Sequence, residues 1–312
     1  MRLICIVVVL ILGTSRVDAT TFTTLDDPLG TFTVACGISG SNIIGGYGNS
    51  SGNHGFLYNG STYTTLDDPL GTNGTVANGV SDSNIVGSYK DSSGYHGFLY
   101  NGSTYTTLDD PLGTDGTWAC GISASNIVGY YHDSSGYHGF LYNVSTYTTL
   151  DDPLAKGGLT VASGISGSNI VGYYSDSSGN DHGFLYNGST YTTLDAPLAT
   201  FTVACGISGS NIVGSYESVN YLGRGFLYNG STYTTLYDPL GGNNSTWASG
   251  ISGNNVVGYY YDANYVQHGF VATIPEPSTL VLLGISAFGL IAYAWRTRVE
   301  KVSGTVFEVR RE

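Results

Sequence analysis

A short pattern, a basic residue followed by Gly-Phe, recurs along this chain at intervals of 42 to 44 residues. The pattern begins at six positions: His54, His96, His138, His182, Arg224 and His268. A fixed period of this size is typical of propellers, solenoids and related arrays, in which each repeat is one supersecondary unit. The chain is therefore expected to fold as repeated copies of a single unit.

Each repeat is predicted to contain two β-hairpins. In the second copy, the first hairpin runs over residues 97–108 with Asn101-Gly102 as its turn. The second runs over residues 118–131 with Ala124-Ser125 as its turn. Four short strands in about 42 residues match the size of a propeller blade.

The turns predict the register of each hairpin. Asn-Gly between β-prone runs favours a two-residue type I′ turn. That turn would place Tyr100 opposite Ser103, Leu99 opposite Thr104, and Phe98 opposite Tyr105. In the second hairpin, four copies have glycine at the first turn position (Gly40, Gly167, Gly209 and Gly253), which suits a type II′ turn.

The two ends of the repeat region predict how the architecture closes. Residues from Thr20 correspond to the second strand of a repeat, and residues 268–274 correspond to a first strand. The two strands complement each other, so they can complete one shared blade. We therefore expect an all-β fold over residues 20–274, a six-bladed β-propeller. The alternative is a β-solenoid with two coils per repeat, although no polar caps for an open stack are visible.

The repeats also resemble a known family. The segments HGFLYNGSTYTTLDDPLGT and GISASNIVGYY are similar to the extracellular repeats of the HAF family, with glycine where that family usually has alanine. The resemblance covers roughly residues 20–274. It implies a secreted or surface repeat protein rather than an enzyme.

The N-terminus reads as a secretory signal peptide over residues 1–19. Arg2 provides the positive start, residues 3–12 form an apolar run, and Ala19 is the predicted cleavage position. The run is short for a membrane span. A buried first strand is the alternative.

The C-terminal segment 275–301 predicts a sorting signal. Residues 278–295 contain no charge and are just long enough for a transmembrane helix. Arg296, Arg298 and Lys301 follow, which predicts that the tail, residues 302–312, is cytoplasmic.

Pro-Glu-Pro, one helix and then arginines resemble the PEP-CTERM sorting signal. The resemblance implies recognition of Pro275, Glu276 and Pro277 by an exosortase, removal of the anchor, and delivery to the cell surface or exopolysaccharide matrix. The 11 residues after Lys301 depart from the family pattern. A plain single-pass membrane anchor is the alternative.

Charge narrows the classes of partner. Residues 20–274 contain three cationic side chains against 18 carboxylates, a net charge of −15. Such a surface repels nucleic acid and anionic lipid. Neutral glycans and cations remain compatible partners.

One face of the propeller is predicted to collect aspartates and histidines. The loops after the second and fourth strands of each repeat should emerge on the same side. The candidate binding residues there are Asp67, Asp68, Asp109, Asp110, Asp151, Asp152, His96 and His138. Their oxygen ligands suit Ca²⁺, and the many tyrosines suit sugars. The structural alternative is that Asp-Asp-Pro-Leu forms a turn and each histidine fastens one blade to the next.

Neither the cysteines nor any catalytic motif indicates chemistry. Cys36, Cys120 and Cys205 occupy one equivalent site two repeats apart, too far for a disulfide, and are expected to be small buried residues, a three-thiol metal site being the alternative. No metalloprotease, phosphate-loop or paired-thiol motif is present. We therefore expect a structural or binding component of the cell envelope or matrix, with no catalytic residue and no required cofactor. A lectin or carbohydrate-active enzyme using the Asp/His face is the alternative.

Overall fold

The structure, a computed structural model, describes residues 20–218, 221–242 and 245–275. These residues form strands that pair into six four-stranded antiparallel sheets, the blades of a β-propeller. Within residues 20–218, 221–242 and 245–275, no helix is long and apolar enough to cross a membrane. The predicted signal peptide, its cleavage residue Ala19, and the predicted helix 278–295 lie outside the described residues.

Five blades are each built from four consecutive strands. The first contains β2 (Phe32–Ser39), β3 (Asn42–Asn49), β4 (Gly52–Tyr58) and β5 (Tyr63–Leu66). The second contains β6 (Thr75–Ser81), β7 (Asn84–Lys90), β8 (Tyr95–Tyr100) and β9 (Tyr105–Leu108). The third contains β10 (Gly116–Ser123), β11 (Asn126–Asp133), β12 (Gly136–Tyr142) and β13 (Tyr147–Leu150). The fourth contains β14 (Thr160–Ser166), β15 (Asn169–Ser175), β16 (Asp181–Tyr186) and β17 (Tyr191–Leu194). The fifth contains β18 (Phe201–Ser208), β19 (Asn211–Ser218), β20 (Tyr221–Tyr228) and β21 (Tyr233–Leu236).

The sixth blade joins the two ends of the propeller. It contains β22 (Thr246–Ser252), β23 (Asn255–Tyr261), β24 (Gln267–Thr273) and, as its outer strand, β1 (Thr21–Leu25). Thr21 pairs with Thr273 and Leu25 pairs with Gly269. The closed propeller predicted from the complementary ends is confirmed, and the solenoid alternative is wrong.

The first strand of every blade lies at the axis of the ring. Each of these inner strands contains a β-bulge, and the bulged residue faces the axial channel. The bulged residues are Cys36, Asn78, Cys120, Ser163, Cys205 and Ser249. The glycine after each bulge allows inner strands to approach closely, since a Cβ on Gly79 would lie 2.6 Å from the carbonyl oxygen of Cys120.

The core consists of clusters between neighbouring blades. One such cluster contains Ile44 of the first blade together with Leu66, Ala77, Ile85 and Phe98, all of which are buried. The six equivalent phenylalanines, one in the third strand of each blade, have no exposed surface: Phe56, Phe98, Phe140, Phe184, Phe226 and Phe270. Burial of a side chain of this size contributes roughly 1.5–3 kcal/mol. Stability therefore depends on the blades packing face to face.

The predicted register of the first hairpin is wrong by two residues. Tyr100 pairs with Tyr105, rather than with Ser103, and Phe98 pairs with Thr107. The reason is a four-residue loop in which Oδ1 of Asn101 accepts hydrogen bonds from the backbone N–H groups of Ser103 and Thr104, at 3.0 and 2.9 Å. Asparagine thus forms a side-chain turn here rather than a type I′ turn.

The aromatic contact predicted in that hairpin is present in a different geometry. Tyr100 and Tyr105 are directly opposed, with ring centroids 4.5 Å apart. Phe98 lies diagonally and meets Tyr105 edge-on at 5.4 Å. Both distances lie in the favourable range for aromatic pairs.

The second hairpin has the predicted two-residue turn, since Ser123 pairs with Asn126. The first turn residue has positive φ, 58° at Gly40 and 54° at Ala124. The backbone N–H of this first turn residue also donates a hydrogen bond to a neighbouring blade. The N–H of Gly167 donates to Oγ of Ser123 at 3.3 Å, and that of Gly40 donates to Oγ of Ser252 at 3.4 Å. These bonds link the blades around the ring on the face opposite the histidines.

Candidate functional site

The loops before the third strand and after the fourth strand of a blade meet on one side of the propeller. This arrangement, predicted from the alternating strand directions, brings each recurring histidine next to the aspartate that directly follows the fourth strand of its blade. We call this side the His/Asp face. Its five histidine–aspartate pairs are His54–Asp67, His96–Asp109, His138–Asp151, His182–Asp195 and His268–Asp26.

His96 shows the geometry of one pair. Its Nδ1 lies 3.0 Å from Oδ2 of Asp109, and its Nε2 lies 3.0 Å from Oγ of Ser93. Oδ1 of Asp91 lies 3.5 Å from the same Nε2. The imidazole stacks on Tyr89 with ring centroids 5.1 Å apart. The ring is therefore held by two carboxylates, a hydroxyl and an aromatic face.

The same arrangement surrounds His138. Its Nδ1 lies 3.0 Å from Oδ2 of Asp151, its Nε2 lies 2.9 Å from Oγ of Ser135, and its ring stacks on Tyr131 at 5.1 Å. All these partners lie in the same blade. The prediction that each histidine fastens one blade to the next is wrong, because the histidine instead joins the second, third and fourth strands of its own blade.

The fifth blade lacks both members of the pair. Arg224 stands where the other blades have histidine, and Tyr237 stands where they have the first aspartate. The two positions therefore change together within this one chain. Such a paired change is expected if the histidine and the aspartate serve mainly as each other's partners.

The second aspartate of each pair has a different role. Oδ1 of Asp68 accepts a hydrogen bond from the backbone N–H of Leu70 at 2.9 Å. Asp110 and Asp152 bond Leu112 and Leu154 in the same way, at 2.9 and 2.8 Å. This confirms the turn-forming interpretation for these three aspartates. The Asp-Asp pairs therefore divide into exposed partners of histidine and buried turn residues.

Three of the buried aspartates have a carboxyl oxygen without a hydrogen-bond partner in the described part of the chain. Among the described residues, Oδ2 of Asp68, Asp110 and Asp238 is buried without a hydrogen-bond partner. Burial raises the pKa of each of these carboxyl groups, although the backbone hydrogen bond opposes the shift. Each therefore presents one oxygen to the turn and one oxygen to no group of the described residues.

His182 lies between Asp195 and Asp176, at 3.0 and 3.4 Å. Burial alone would lower its pKa, but the hydrogen bonds and negative charges of Asp195 and Asp176 raise it overall. Asp176 keeps its charge to low pH. Hydrogen bonds led by the backbone N–H of Asn180 outweigh desolvation and lower its pKa to about 2. The pair is therefore poised to carry a protonated imidazole.

A groove opens between the loop after the first blade and the outer strand of the second. We call it the interblade groove. Its volume is about 340 Å³, and its lining residues are Asp68, Pro69, Leu70, Ser103, Thr104, Tyr105 and Thr107. Leu70 is 57 % exposed at its edge. The volume lies at the lower end of the range for small-molecule sites.

The polar groups of this groove complement one another. Burial first, then Tyr100, Asp68 and Asp67, raise the pKa of Tyr105, so its phenol stays protonated. Tyr105 therefore supplies a hydrogen-bond donor beside the carboxylate of Asp68. The sequence interpretation included Asp68 but missed Tyr105 and Leu70. The signal available was the strict recurrence of Asp-Pro-Leu and Ser-Thr-Tyr around the ring.

The axial channel is narrow, with a volume of about 60 Å³. Cys36, Cys120 and Cys205 line it as free thiols. Enclosure raises the pKa of each thiol to about 12, with a further contribution from neighbouring cysteines at Cys36 and Cys120. Protonated thiols are poor nucleophiles and poor metal ligands.

Across residues 20–218, 221–242 and 245–275, no group of three or more His, Cys, Asp or Glu side chains is arranged to hold a metal ion. On the His/Asp face the first aspartates already face imidazoles. The Ca²⁺ site stays a prediction.

The sorting residues lie at the edge of the described chain. Pro275 follows shortly after β24, while Glu276 and Pro277 lie outside the described residues. Residues 273–299 match the PEP-CTERM protein-sorting motif. The PEP-CTERM motif thus begins at Thr273, the last residue of the propeller's final strand. No curated protein matches the chain.

Similar solved structures include one with a TM-score of 0.50, and that one supports the six-bladed architecture. A fungal lectin from Aleuria aurantia, described as a six-bladed β-propeller with a novel fucose recognition mode, has a TM-score of 0.50 and 14 % identity over 77 % of this chain and 91 % of that chain. The β-propeller domain of the Trilobed protease from Pyrococcus furiosus has a TM-score of 0.49 and 7 % identity, covering 80 % and 97 %. The lectin SapL1, in complex with alpha methyl fucoside, has a TM-score of 0.45 and 13 % identity, covering 80 % and 98 %. At these identities the likeness concerns the fold alone.

Proposed function

We propose that this chain is an exported propeller that an exosortase releases from its C-terminal anchor, and that it then serves as a non-catalytic binding component of the cell surface or exopolysaccharide matrix. The observation that carries the proposal is the position of the PEP-CTERM motif. It begins where the ring is already closed, since Thr273 pairs with Thr21. Cleavage beyond this point removes no strand from any blade.

The proposal predicts a specific sorting defect. Replacing Pro275, Glu276 and Pro277 with alanine should leave the full-length chain in the inner membrane, with its C-terminal tail attached. The matched control replaces Ser278 and Thr279, the two residues directly after Pro277, with alanine, and should be processed normally. Membrane fractionation, with a tag on the C-terminus, measures how much of each variant remains full-length in the membrane. Normal release of the triple variant would contradict exosortase recognition and favour a plain single-pass anchor.

A glycan-binding role is the second candidate, and two observations favour it. The interblade groove offers a phenol donor, a buried carboxylate and an exposed leucine side by side. The net charge of −15 over residues 20–274 disfavours anionic partners and is compatible with neutral glycans. The lectins from Aleuria aurantia and SapL1 share the fold only, so their sugars do not identify a ligand here. The HAF resemblance of the repeats stays a prediction.

We further propose that neither catalysis nor a cofactor is involved. The aspartates of the His/Asp face are engaged by imidazoles or by backbone N–H groups, which is the support for this view. Incubation with isolated exopolysaccharide should release no reducing ends, and release would favour a carbohydrate-active enzyme. A chelator should leave the melting temperature unchanged. A fall in that temperature would indicate a structural Ca²⁺ site.

A further inference from the structure

The interblade groove at Asp68 and Tyr105 is one of six equivalent positions around the ring. Each position combines Asp-Pro-Leu from the loop leaving one blade with Ser-Thr-Tyr at the start of the next blade's outer strand. The four complete combinations pair these residues: Asp27 with Tyr63, Asp68 with Tyr105, Asp110 with Tyr147, and Asp152 with Tyr191. The other two positions are incomplete, because Ala196 replaces the aspartate in one and Phe22 replaces the tyrosine in the other.

The pairing recurs by strand order at the four complete positions: in each, the aspartate follows the outer strand of one blade and the tyrosine begins the outer strand of the next. After burial and the neighbouring tyrosine, the charge of the paired aspartate raises the pKa of Tyr63, Tyr105, Tyr147 and Tyr191 alike. The tyrosine is partly buried and the aspartate almost completely so, with Asp68 only 4 % exposed. Each complete position therefore sets a phenol beside a largely desolvated carboxyl group.

At two of the four complete positions, those of Asp68 and Asp110, the buried carboxyl group has an unmet hydrogen-bonding capacity. Oδ1 of Asp68 holds the turn through Leu70, whereas Oδ2 has no partner among the described residues. A buried polar atom without a partner is destabilising, and such an atom in a folded protein calls for an explanation. Within residues 20–218, 221–242 and 245–275, no hydrogen bond of the Tyr105 hydroxyl is found either. The groove is thus lined by a carboxyl group with an unpartnered oxygen and by a phenol.

The remaining lining is apolar or weakly polar. Pro69 and the exposed Leu70 form one wall, and Thr104 and Thr107 contribute to the other side. Equivalent leucines are exposed at every position, from 55 % at Leu154 to 93 % at Leu198. A sugar ring presents C–H groups on one face and hydroxyl groups at its edge, which matches an apolar wall next to a donor and an acceptor. The acidic surface selects against anionic sugars.

We propose that the four complete interblade grooves are binding sites for neutral monosaccharide units of a glycan, with the aspartate accepting and the tyrosine donating a hydrogen bond to sugar hydroxyl groups. This inference deepens the second candidate function and rests on it. Four sites on one rigid ring make the protein multivalent, so a polymeric glycan binds far more tightly than a single sugar.

The test uses variants that the chain itself already tolerates. The full chain, in a zwitterionic detergent free of sugar groups, is titrated with polyacrylamide conjugates of fucose, galactose, mannose, glucose and N-acetylglucosamine. Y63F, Y105F, Y147F and Y191F are combined in one variant. Phenylalanine occurs naturally at the equivalent position, where Phe22 meets Phe270 edge-on at 5.3 Å, close to the 5.4 Å of Phe98 and Tyr105. The matched control is Y233F, in the position whose aspartate is replaced by Ala196.

We expect at least one neutral conjugate to bind with four sugars per chain. The quadruple variant should lower the affinity per site by roughly tenfold, the loss expected for one hydrogen bond, and Y233F should leave it unchanged. A second variant combines D27N, D68N, D110N and D152N, which keeps an oxygen for the turn while replacing the second carboxyl oxygen with an amide nitrogen, and should also weaken binding. Melting temperatures of all variants verify the fold.

Two results would overturn the inference. Equal binding by the wild type and the quadruple tyrosine variant would place the sugar site elsewhere. Binding of none of the neutral conjugates by the folded chain would exclude the proposed ligand class. Neither result bears on the sorting proposal. That proposal is tested by where the PEP-CTERM variants are located in the cell, and not by sugar binding.

Discussion

Nδ1 of His268 lies 3.0 Å from Oδ2 of Asp26, which precedes it by 242 residues in the chain. This contact lies at the join between the two ends of the propeller. It is the same histidine–aspartate pair that other blades form within one continuous stretch of chain. Thr24 and Tyr260 also share a hydrogen bond of 3.0 Å at this join. The sixth blade, although assembled from both ends of the chain, therefore has the same internal structure as the others.

Closure is expected to depend on apolar packing more than on this exposed pair. Leu25 of β1 is 5 % exposed and packs with Ala35 and Phe56 of the first blade. Leu25→Ala should destabilise the propeller by about 2–5 kcal/mol, the usual loss for a buried leucine. Denaturant unfolding measures the change. The matched control is Leu29→Ala, four residues later in the chain, where the leucine side chain is 62 % exposed. This substitution should change stability by less than about 0.5 kcal/mol.

Equal effects of these two substitutions would contradict a closure built on Leu25. Asp26→Ala completes the comparison, because it removes the His268 contact and keeps β1. Exposed ion pairs contribute at most about 1 kcal/mol, so this change should be small.

The turns of the second hairpins predict a stabilising substitution. Ala124 has φ of 54°, a conformation that glycine adopts at the equivalent Gly167. Ala124→Gly should raise stability by a few tenths to about 1 kcal/mol, since it relieves backbone strain at some cost in chain entropy. The reverse change, Gly167→Ala, should destabilise, and a Cβ there meets no atom within 4 Å, so the loss reports the backbone alone. A destabilised Ala124→Gly variant would argue against a strained turn.

The axial cysteines predict slow alkylation. With their pKa values raised to about 12, the thiols of Cys36, Cys120 and Cys205 are almost fully protonated at pH 8. Iodoacetamide should label them at least about a hundredfold more slowly than it labels the denatured chain, because the thiolate is the nucleophile. Mass spectrometry of the peptides measures the rates. Rapid labelling of the native chain would show that the channel does not enclose the thiols.

The raised pKa values of the thiols also predict that the stability of the protein falls at alkaline pH. The stability that comes from keeping these thiols neutral is complete below the unfolded pKa of about 8.5 and is lost as pH rises towards 12. Replacing all three cysteines with serine, the residue at Ser163 and Ser249, should reduce the loss of stability between those pH values. An unchanged alkaline unfolding profile would contradict the assignment.

The raised pKa of His182 also predicts a pH dependence of stability, which here arises from a cationic group rather than from a neutral thiol. Its raised pKa means that its stabilising contribution is complete below the unfolded value of about 6.5 and is lost as pH rises through the native value. Asp195→Asn should lower the pKa of His182, which NMR titration of the imidazole measures. Asp151→Asn, at the partner of His138, is the control and should leave His182 unchanged. Insensitivity of His182 to Asp195→Asn would refute the ion pair.

Repetition made most of the fold predictable. The period of the Gly-Phe pattern indicated the blade, and the strand phase at Thr20 and at His268 indicated the closure. The register of the first hairpin was not predictable from Asn-Gly alone, because the Asn101 side chain bonds two backbone N–H groups and lengthens the loop. A local side-chain hydrogen bond thus outweighed the turn preference of the dipeptide.

The candidate site was predictable only in part. Alternating strand directions place Asp109 and His96 on one face, as expected. The different roles of Asp109 and Asp110 could not be predicted, because two adjacent aspartates cannot be told apart by sequence alone. In the structure, Asp109 faces an imidazole and Asp110 is buried in a turn. The interblade groove joins Asp68 to Tyr105, which belong to different blades, and only the packing of blades brings them together.

The closed ring is the claim on which the His/Asp face, the axial channel and the four grooves all depend. Small-angle X-ray scattering from the propeller, residues 20–275, tests it most directly. A closed domain of this length predicts a radius of gyration of about 18 Å, with a single compact peak in the distance distribution. An elongated, rod-like particle with a much larger radius would contradict the ring and every site derived from it.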